Sequence, residues 1–241
     1  MSERRFRFDL VIKVGGSLGR RPGRLGPLMR RIAALARDQR LLVLAGGGVF
    51  ADLVRREMRR LGLEETRAHR MALLAMDQYG LALARFCPGA RPVATLAAAR
   101  RLAIAGRTPI LLASTLLARE RCLERSFRLT SDSIAAYLAG RVGARRLALV
   151  KSVPQPDGRL GTREEARRMA RRGVVDPLFP RHVPSGLEVW ILDGRRKDAI
   201  GRLAATTAAR PARYGSPGPG RQGTRRPGSR AGRRAGRRGT G

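Results

Sequence analysis

The sequence predicts an α/β fold, a mainly parallel central β-sheet with helices on both faces. Three observations carry that expectation. Runs of five to seven residues are apolar along nearly their whole length, as strands buried on both sides must be. Stretches with apolar residues at helical spacing lie between those runs. Glycine-rich turns follow two of the strands, at the carboxyl edge where open parallel sheets take their ligands. The 241 residues and a hydrophobic share of 43% suffice for one large domain with a real core.

The elements follow in order. Residues 8–14 (FDLVIKV) read as the first strand, and Leu28, Ile32 and Leu35 as one face of the helix behind it. Residues 41–45 (LLVLA) are a second strand, closed by Gly46-Gly47-Gly48. Phe50, Leu53, Val54, Met58 and Leu61 repeat at helical spacing, and residues 69–86 continue as a helix with Leu73, Met76 and Leu83 on one side. Residues 92–95 read as a short strand, 96–105 as a helix and 109–113 (PILLA) as another strand. A helix over 133–142 leads into a strand over 146–150. Thr162 and Glu165 have capping-box spacing and open a helix that runs to Arg172. Residues 187–192 (LEVWIL) are the last buried strand, followed by a short helix near 197–204.

From residue 211 the pattern stops. Residues 211–241 are Gly, Arg, Pro and Ser with almost no apolar content. Such a tail cannot offset its chain entropy by burial, so disorder is expected. The expected organisation is one domain over 1–210 and a tail over 211–241.

The formal charge of +33 would ordinarily point to nucleic acid or an anionic surface. Nine of the arginines lie in the tail, and removing that segment still leaves +24. Arginine, alanine and glycine are abundant together, the mark of a GC-rich coding bias, so charge is a poor guide here. Nucleic acid is an expected partner only through the basic tail. No run of about 18 apolar residues occurs, so no membrane span is expected. The N-terminus lacks the basic-then-apolar order of a secretory signal. Cys87 and Cys122 have no metal-like spacing and fit free thiols in a reducing cytoplasm. No Ser-His-Asp, zinc or paired-carboxylate arrangement stands out, and no metal ligands are assigned.

The dominance of arginine makes the three lysines, Lys13, Lys151 and Lys197, informative. A lysine kept in such a background marks a place where a compact, mobile ammonium is needed. Lys13 opens the run Lys13-Val14-Gly15-Gly16-Ser17, where two glycines after a strand let backbone N–H groups approach an anion and Ser17 adds a hydroxyl. This is not a Walker loop, and an ordinary strand-to-helix turn would read the same. Gly46, Gly47 and Gly48 form a second such turn at a helix N-terminus, which favours anions; a flexible loop is the alternative. Thr130, Ser131, Asp132 and Ser133 all suit a helix cap, and Asp132 also suits an anion that orients lysines beside a transferred phosphate. Lys151 ends a strand and can reach the same sheet edge as Lys13. His69 and Asp77, eight apart on one helix, share a face roughly; His69 is a candidate ligand contact, with a solvated or capped side chain as the alternative.

In this order the segments KVGGSL (13–18), AGGGVFADLVR (45–55) and LTSDSIAAYLAGRVGARRLALVKSV (129–153) resemble the amino acid kinase family, over roughly residues 8–205. With HRMALLAMDQYG (69–80), the likeness is greatest to the kinases of (aminomethyl)furanylmethyl phosphate in methanopterin biosynthesis. The resemblance implies a three-layer αβα sandwich, ATP with Mg²⁺, and transfer of the γ-phosphoryl to a phosphate-group acceptor. It implies a cytoplasmic homodimer or larger oligomer with a small phosphorylated substrate. Lys13, Asp132 and Lys151 would be catalytic. Lys13, Gly15, Gly16, Ser17, Ser131 and Lys151 would hold ATP phosphates. Gly46, Gly47, Gly48, His69, Asp77 and Thr130 would hold the acceptor. A uridylate-kinase-like enzyme and a non-catalytic anion-binding protein are the alternatives. Two departures stand out. Related kinases carry a Val-Asp-Gly-Val/Ile run soon after the lysine strand, whereas this chain has two prolines within 152–158. The Gly-Thr segment and final strand of many members are replaced by the tail.

Overall fold

The computed structural model describes residues 6–152 and 158–208. The expected tail, and residues 153–157 of the altered loop, lie outside the described residues. β1 (Leu10–Val14) is followed by a 3-10 turn (Gly16–Arg20), α1 (Pro22–Leu35), β2 (Leu41–Ala45), α2 (Gly48–Leu61) and α3 (Glu65–Ala84). Next come β3 (Arg91–Val93), α4 (Leu96–Ile104), β4 (Pro109–Leu111), α5 (Ser114–Ala118), α6 (Ser131–Arg141) and β5 (Arg146–Lys151). The chain continues through β6 (Gly158–Leu160), α7 (Arg163–Arg171), α8 (Phe179–His182), β7 (Glu188–Asp193) and α9 (Ala199–Ala208).

The seven described strands form one sheet in the order β3-β4-β2-β1-β5-β7-β6. All pairings are parallel except β6 with β7. β1 sits at the centre because its five residues are all buried and can pack on both sides. Val11, Leu42, Leu44, Leu147 and Leu149 face one helical layer that includes α6, α7 and α8. Leu10, Ile12, Val14, Leu41, Val43 and Val150 face the other, where α1 and α9 lie. The fold is thus the αβα sandwich, with the expected parallel sheet.

Several boundaries differ from expectation. β6 is a short antiparallel edge strand, and α5 and α8 are short helices that the sequence pattern did not reveal. The helix expected over 69–86 starts earlier, at Glu65. The helix expected over 133–142 starts at Ser131, which makes Thr130 its N-cap and puts Asp132 in its first turn.

Register then fixes the site. Lys13 stands opposite Leu44 and Leu149 in the sheet, and Lys151 is two residues beyond Leu149 on the same strand. Period-two alternation points both lysines to the α6 side of the sheet. β1 and β5 are neighbours, so both ammonium groups reach one carboxyl edge.

Candidate active site

Asp132 joins the two lysines. Its Oδ1 lies 2.9 Å from Lys13 Nζ, and its Oδ2 accepts a hydrogen bond from Lys151 Nζ. Lys13 and Asp132 are only 4% and 3% exposed. Burial alone would raise the Asp132 carboxyl, but the two ammonium groups outweigh it and hold it below the usual carboxylate range. Burial and the nearby charge of Lys13 push the Lys151 ammonium down, against the pull of Asp132. The cluster therefore carries more cation than anion in a desolvated place, which is what a phosphoryl group in transfer requires.

The two glycine turns meet back to back beside this cluster. A Cβ on Gly16 would sit 2.0 Å from the Gly48 nitrogen, and one on Gly46 would sit 2.7 Å from the Gly16 nitrogen. Gly48 has φ +57°, a conformation that L side chains rarely adopt. Gly16→Ala is accordingly expected to force the turns apart. Activity should fall at least about 100-fold, as when a preorganised donor is lost, while circular dichroism still reports a folded sheet. Wild-type turnover in that variant would show that the two turns need not touch.

The amides are not all available. The Gly15 N–H donates to the Val150 carbonyl oxygen at 2.8 Å, and the Gly46 N–H to the Val14 carbonyl oxygen at 2.8 Å. Both continue the strand ladder, which corrects the expectation that these two donors face phosphate. Among the described residues, the N–H groups of Gly16, Gly47 and Gly48 have no acceptor. All three residues line a cavity of about 210 Å³, together with Ser17, Thr130 and Ser131. Ser17 Oγ also contacts Ser152 Oγ at 2.5 Å. At the mouth, Asp52 is paired with Arg20 at 2.8 Å and with Arg55 at 3.3 Å.

His69 is buried and lines the same cavity, with Nδ1 2.9 Å from the Ser126 carbonyl oxygen. Asp77 is not in that lining. Its carboxylate accepts from the Ser114 hydroxyl at 2.5 Å and the Ser114 amide at 3.3 Å, at the start of α5. Burial raises its carboxyl above the ordinary range despite these bonds.

One residue at the site escaped the sequence reading. Asp176 is 7% exposed and gathers the start of α6. Its Oδ2 accepts from the Thr130 amide (3.1 Å), the Thr130 hydroxyl (2.8 Å) and the Ser133 amide (3.0 Å). Its Oδ1 accepts from the Ser133 hydroxyl and from the Leu178 amide at 3.2 Å. Asp176 thus fixes the turn of α6 that carries Asp132. The available signal was a carboxylate in Val-Val-Asp-Pro, matched by a cluster of hydroxyls too small to satisfy one another.

Among the described residues no group of three metal-ligating side chains could hold a metal ion. Asp176 is engaged by amides and hydroxyls, and Asp132 is ion-paired with both lysines while its buried Oδ1 accepts no hydrogen bond.

The sequence profile of the amino acid kinase family matches residues 10–155, well over half of the chain. The chain belongs to the amino acid kinase family. This family member is 25% identical over 198 residues to [5-(aminomethyl)furan-3-yl]methyl phosphate kinase of Methanocaldococcus jannaschii, covering 79% of this chain and 90% of that protein. Its fold is similar to uridylate kinase of Archaeoglobus fulgidus (TM-score 0.59, 18% identity, 80% of this chain and 95% of the other). It is likewise similar to UMP kinase of Bacillus anthracis (TM-score 0.60, 12% identity, 83% and 93%). UMP kinase of Ureaplasma parvum gives a TM-score of 0.57 at 13% identity, over 83% and 96%. This amino acid kinase is a phosphotransferase. None of its described helices is long and apolar enough to cross a membrane.

Proposed function

We propose that this enzyme transfers the γ-phosphoryl of ATP to a phosphate monoester, and that the monoester is an (aminomethyl)furanylmethyl phosphate. The observation that carries the reaction is the Lys13–Asp132–Lys151 cluster beside two abutting glycine turns. The acceptor identity is supported by the relative that spans nearly the same length at 25% identity.

The chemistry needs no covalent intermediate. A phosphate oxygen of the acceptor bonds to the γ-phosphorus, the bond to the β–γ bridging oxygen breaks, and ADP leaves. Catalysis of this kind is positioning plus electrostatics. Lys13 and the Gly16 amide face the transferred group. Lys151 neutralises charge as the bridging oxygen departs. Gly47 and Gly48, at the N-terminus of the fourteen-residue α2, present amides and a helix dipole to the acceptor phosphate. Ser17, Thr130 and Ser131 line the space between, and Mg²⁺ accompanies the triphosphate. Asp132 holds both ammonium groups in place. Asp77 acts at one remove, by fixing α5 behind α3.

The setting is expected to be a cytoplasmic homo-oligomer. Exposed Val49 and Leu53 on α2, with Leu74 and Leu81 on α3, support self-association, and Cys87 and Cys122 are both free thiols. The test is ADP release with a panel of acceptors at fixed ATP and Mg²⁺. The furan phosphate is expected to give the highest kcat/KM, above UMP and above simple alkyl phosphates. Preferred turnover of UMP would move the enzyme to the nucleotide kinases, and tight binding without ADP release would make it a binding protein.

A further inference from the structure

Two cavities meet at His69. The acceptor cavity lies on one side, and a second cavity of about 260 Å³ lies on the other. Both linings include His69, Leu73, Leu129 and Ile134. The rest of the second cavity combines apolar Leu117 and Leu123 with exposed Arg67, Arg70 and Arg125 toward solvent. None of these residues belongs to the phosphate machinery.

The hydrogen bonding of His69 fixes what it can do. The Ser126 carbonyl oxygen can only accept, so the ring proton sits on Nδ1 and Nε2 presents a lone pair. Burial lowers the imidazole's affinity for a second proton and Arg125 adds to that, against the Ser126 carbonyl and Glu65. Glu64, Arg67, Arg70 and the half-buried Glu120 in the lining of the second cavity, and Asp52 and Arg55 in that of the first, are the other charged groups of the two cavities. A neutral ring in this tautomer offers nothing to a phosphate or a carboxylate. It requires a donor.

We infer that His69 Nε2 receives a hydrogen-bond donor, a primary amine, carried by the acceptor at its end remote from the phosphate. The inference rests on the acceptor-cavity reading above and adds the group that selects the acceptor. Gly47, Gly48, Leu73, Ile134 and His69 line one cavity, so an acceptor whose phosphate lies against the two glycines leaves its remainder to the apolar residues and His69. Arg67, Arg70 and Arg125 outnumber Glu64 and Glu120 in the lining of the second cavity, which disfavours entry of a cation beyond His69. The rival is an acceptor with a second anionic group, which Arg67, Arg70 and Arg125 would read and to which His69 would be indifferent.

The chain has two histidines, which makes the test direct. The other, His182, packs edge-on against Tyr137 at 6.4 Å and lines neither cavity. His182→Gln therefore assigns the imidazole nitrogen resonances of the full chain. With a non-hydrolysable ATP analogue and Mg²⁺ present, free His69 is expected to show a protonated Nδ1 and a bare Nε2. The aminomethylfuran phosphate should shift Nε2, and the analogue with methyl in place of aminomethyl should not. In ADP release, the amine-bearing acceptor should exceed the methyl analogue by about tenfold or more in kcat/KM, the scale of one charge-assisted hydrogen bond. His69→Leu should abolish that preference, bringing the two acceptors to similar kcat/KM. A protonated Nε2, an equal or absent shift with the two ligands, or an intact preference in His69→Leu overturns the inference. A selective Nε2 shift without ADP release in the wild type would instead sink the proposed reaction and leave the His69 assignment standing.

Discussion

Lys13→Arg is expected to yield a folded protein with kcat reduced about 100- to 1000-fold, the usual cost of losing one preorganised charge-stabilising group. Lys13 sits on the central strand, 4% exposed. Its Cε lies 3.4 Å from the place a Cβ on Gly46 would occupy, against the glycine turn itself. A compact ammonium there lies 2.9 Å from Asp132 Oδ1, a placement that a planar guanidinium with a fixed fork does not reproduce. Arginine keeps the charge, so long-range attraction of ATP survives and KM should move less than kcat. Lys13→Met keeps the aliphatic stem and removes the charge. It should show the same kcat loss with an unfolding midpoint near that of the wild type, which separates chemistry from misfolding. Steady-state kinetics together with thermal unfolding measure both. Full turnover in Lys13→Arg would end the argument for two ammonium groups.

Asp132→Asn should be the most destabilising single change at the site, by about 3–5 kcal/mol, because it removes the counter-charge of two buried cations. The wild type and variant should also differ in their dependence on pH. The Asp132 carboxyl titrates below its ordinary value of 3.8 in the folded chain. The unfolded chain therefore binds its proton first as acid is added, and the stabilisation present above about pH 4 is lost as pH falls through the folded value. The asparagine variant lacks that acid limb. Lys151 adds an alkaline limb of opposite origin. Its ammonium is lowered from 10.5, so stability rises with pH between the folded value and the unfolded one. Without Asp132 to favour the charged form, that rise should begin at lower pH. Denaturant titrations across the pH range check both limbs, and superimposable curves for the two proteins would show that Asp132 does not hold the lysines.

Much of this site was legible because the sheet is simple. β1, β2, β5 and β7 are apolar nearly throughout, so each run announces itself and its carboxyl end can be located within one or two residues. Lys13 and Lys151 then fall at one edge by register alone. Asp132 was readable as a cap and as a lysine partner, and the structure brings it to both ammonium groups. What escaped had no local signature. β6 is three residues long and pairs on one side only, so neither length nor burial marks it. α5 has five residues, less than two turns, too few for a period. That omission hid the partner of Asp77, whose place on α3 was right but whose carboxylate turns to Ser114. Asp176 bonds to Thr130 and Ser133, residues 46 and 43 positions away, and no spacing rule reaches that far. The glycine amides illustrate a finer limit. A pattern can say that a backbone approaches an anion, but only the strand ladder shows that Gly15 and Gly46 have already spent their N–H groups.

The contact of Gly16 with Gly48 has a consequence for how far such a protein can diverge. The separation between the two turns is set by main chain against main chain, with no side chain between them to be resized or repacked. Substitutions in the surrounding core can shift helices by tenths of an ångström and leave this joint unaltered, provided neither turn acquires a Cβ. A sequence can therefore exchange many residues around this joint without changing its spacing. The spacing of the two turns is recorded in two absent side chains, and drift elsewhere has little to erase.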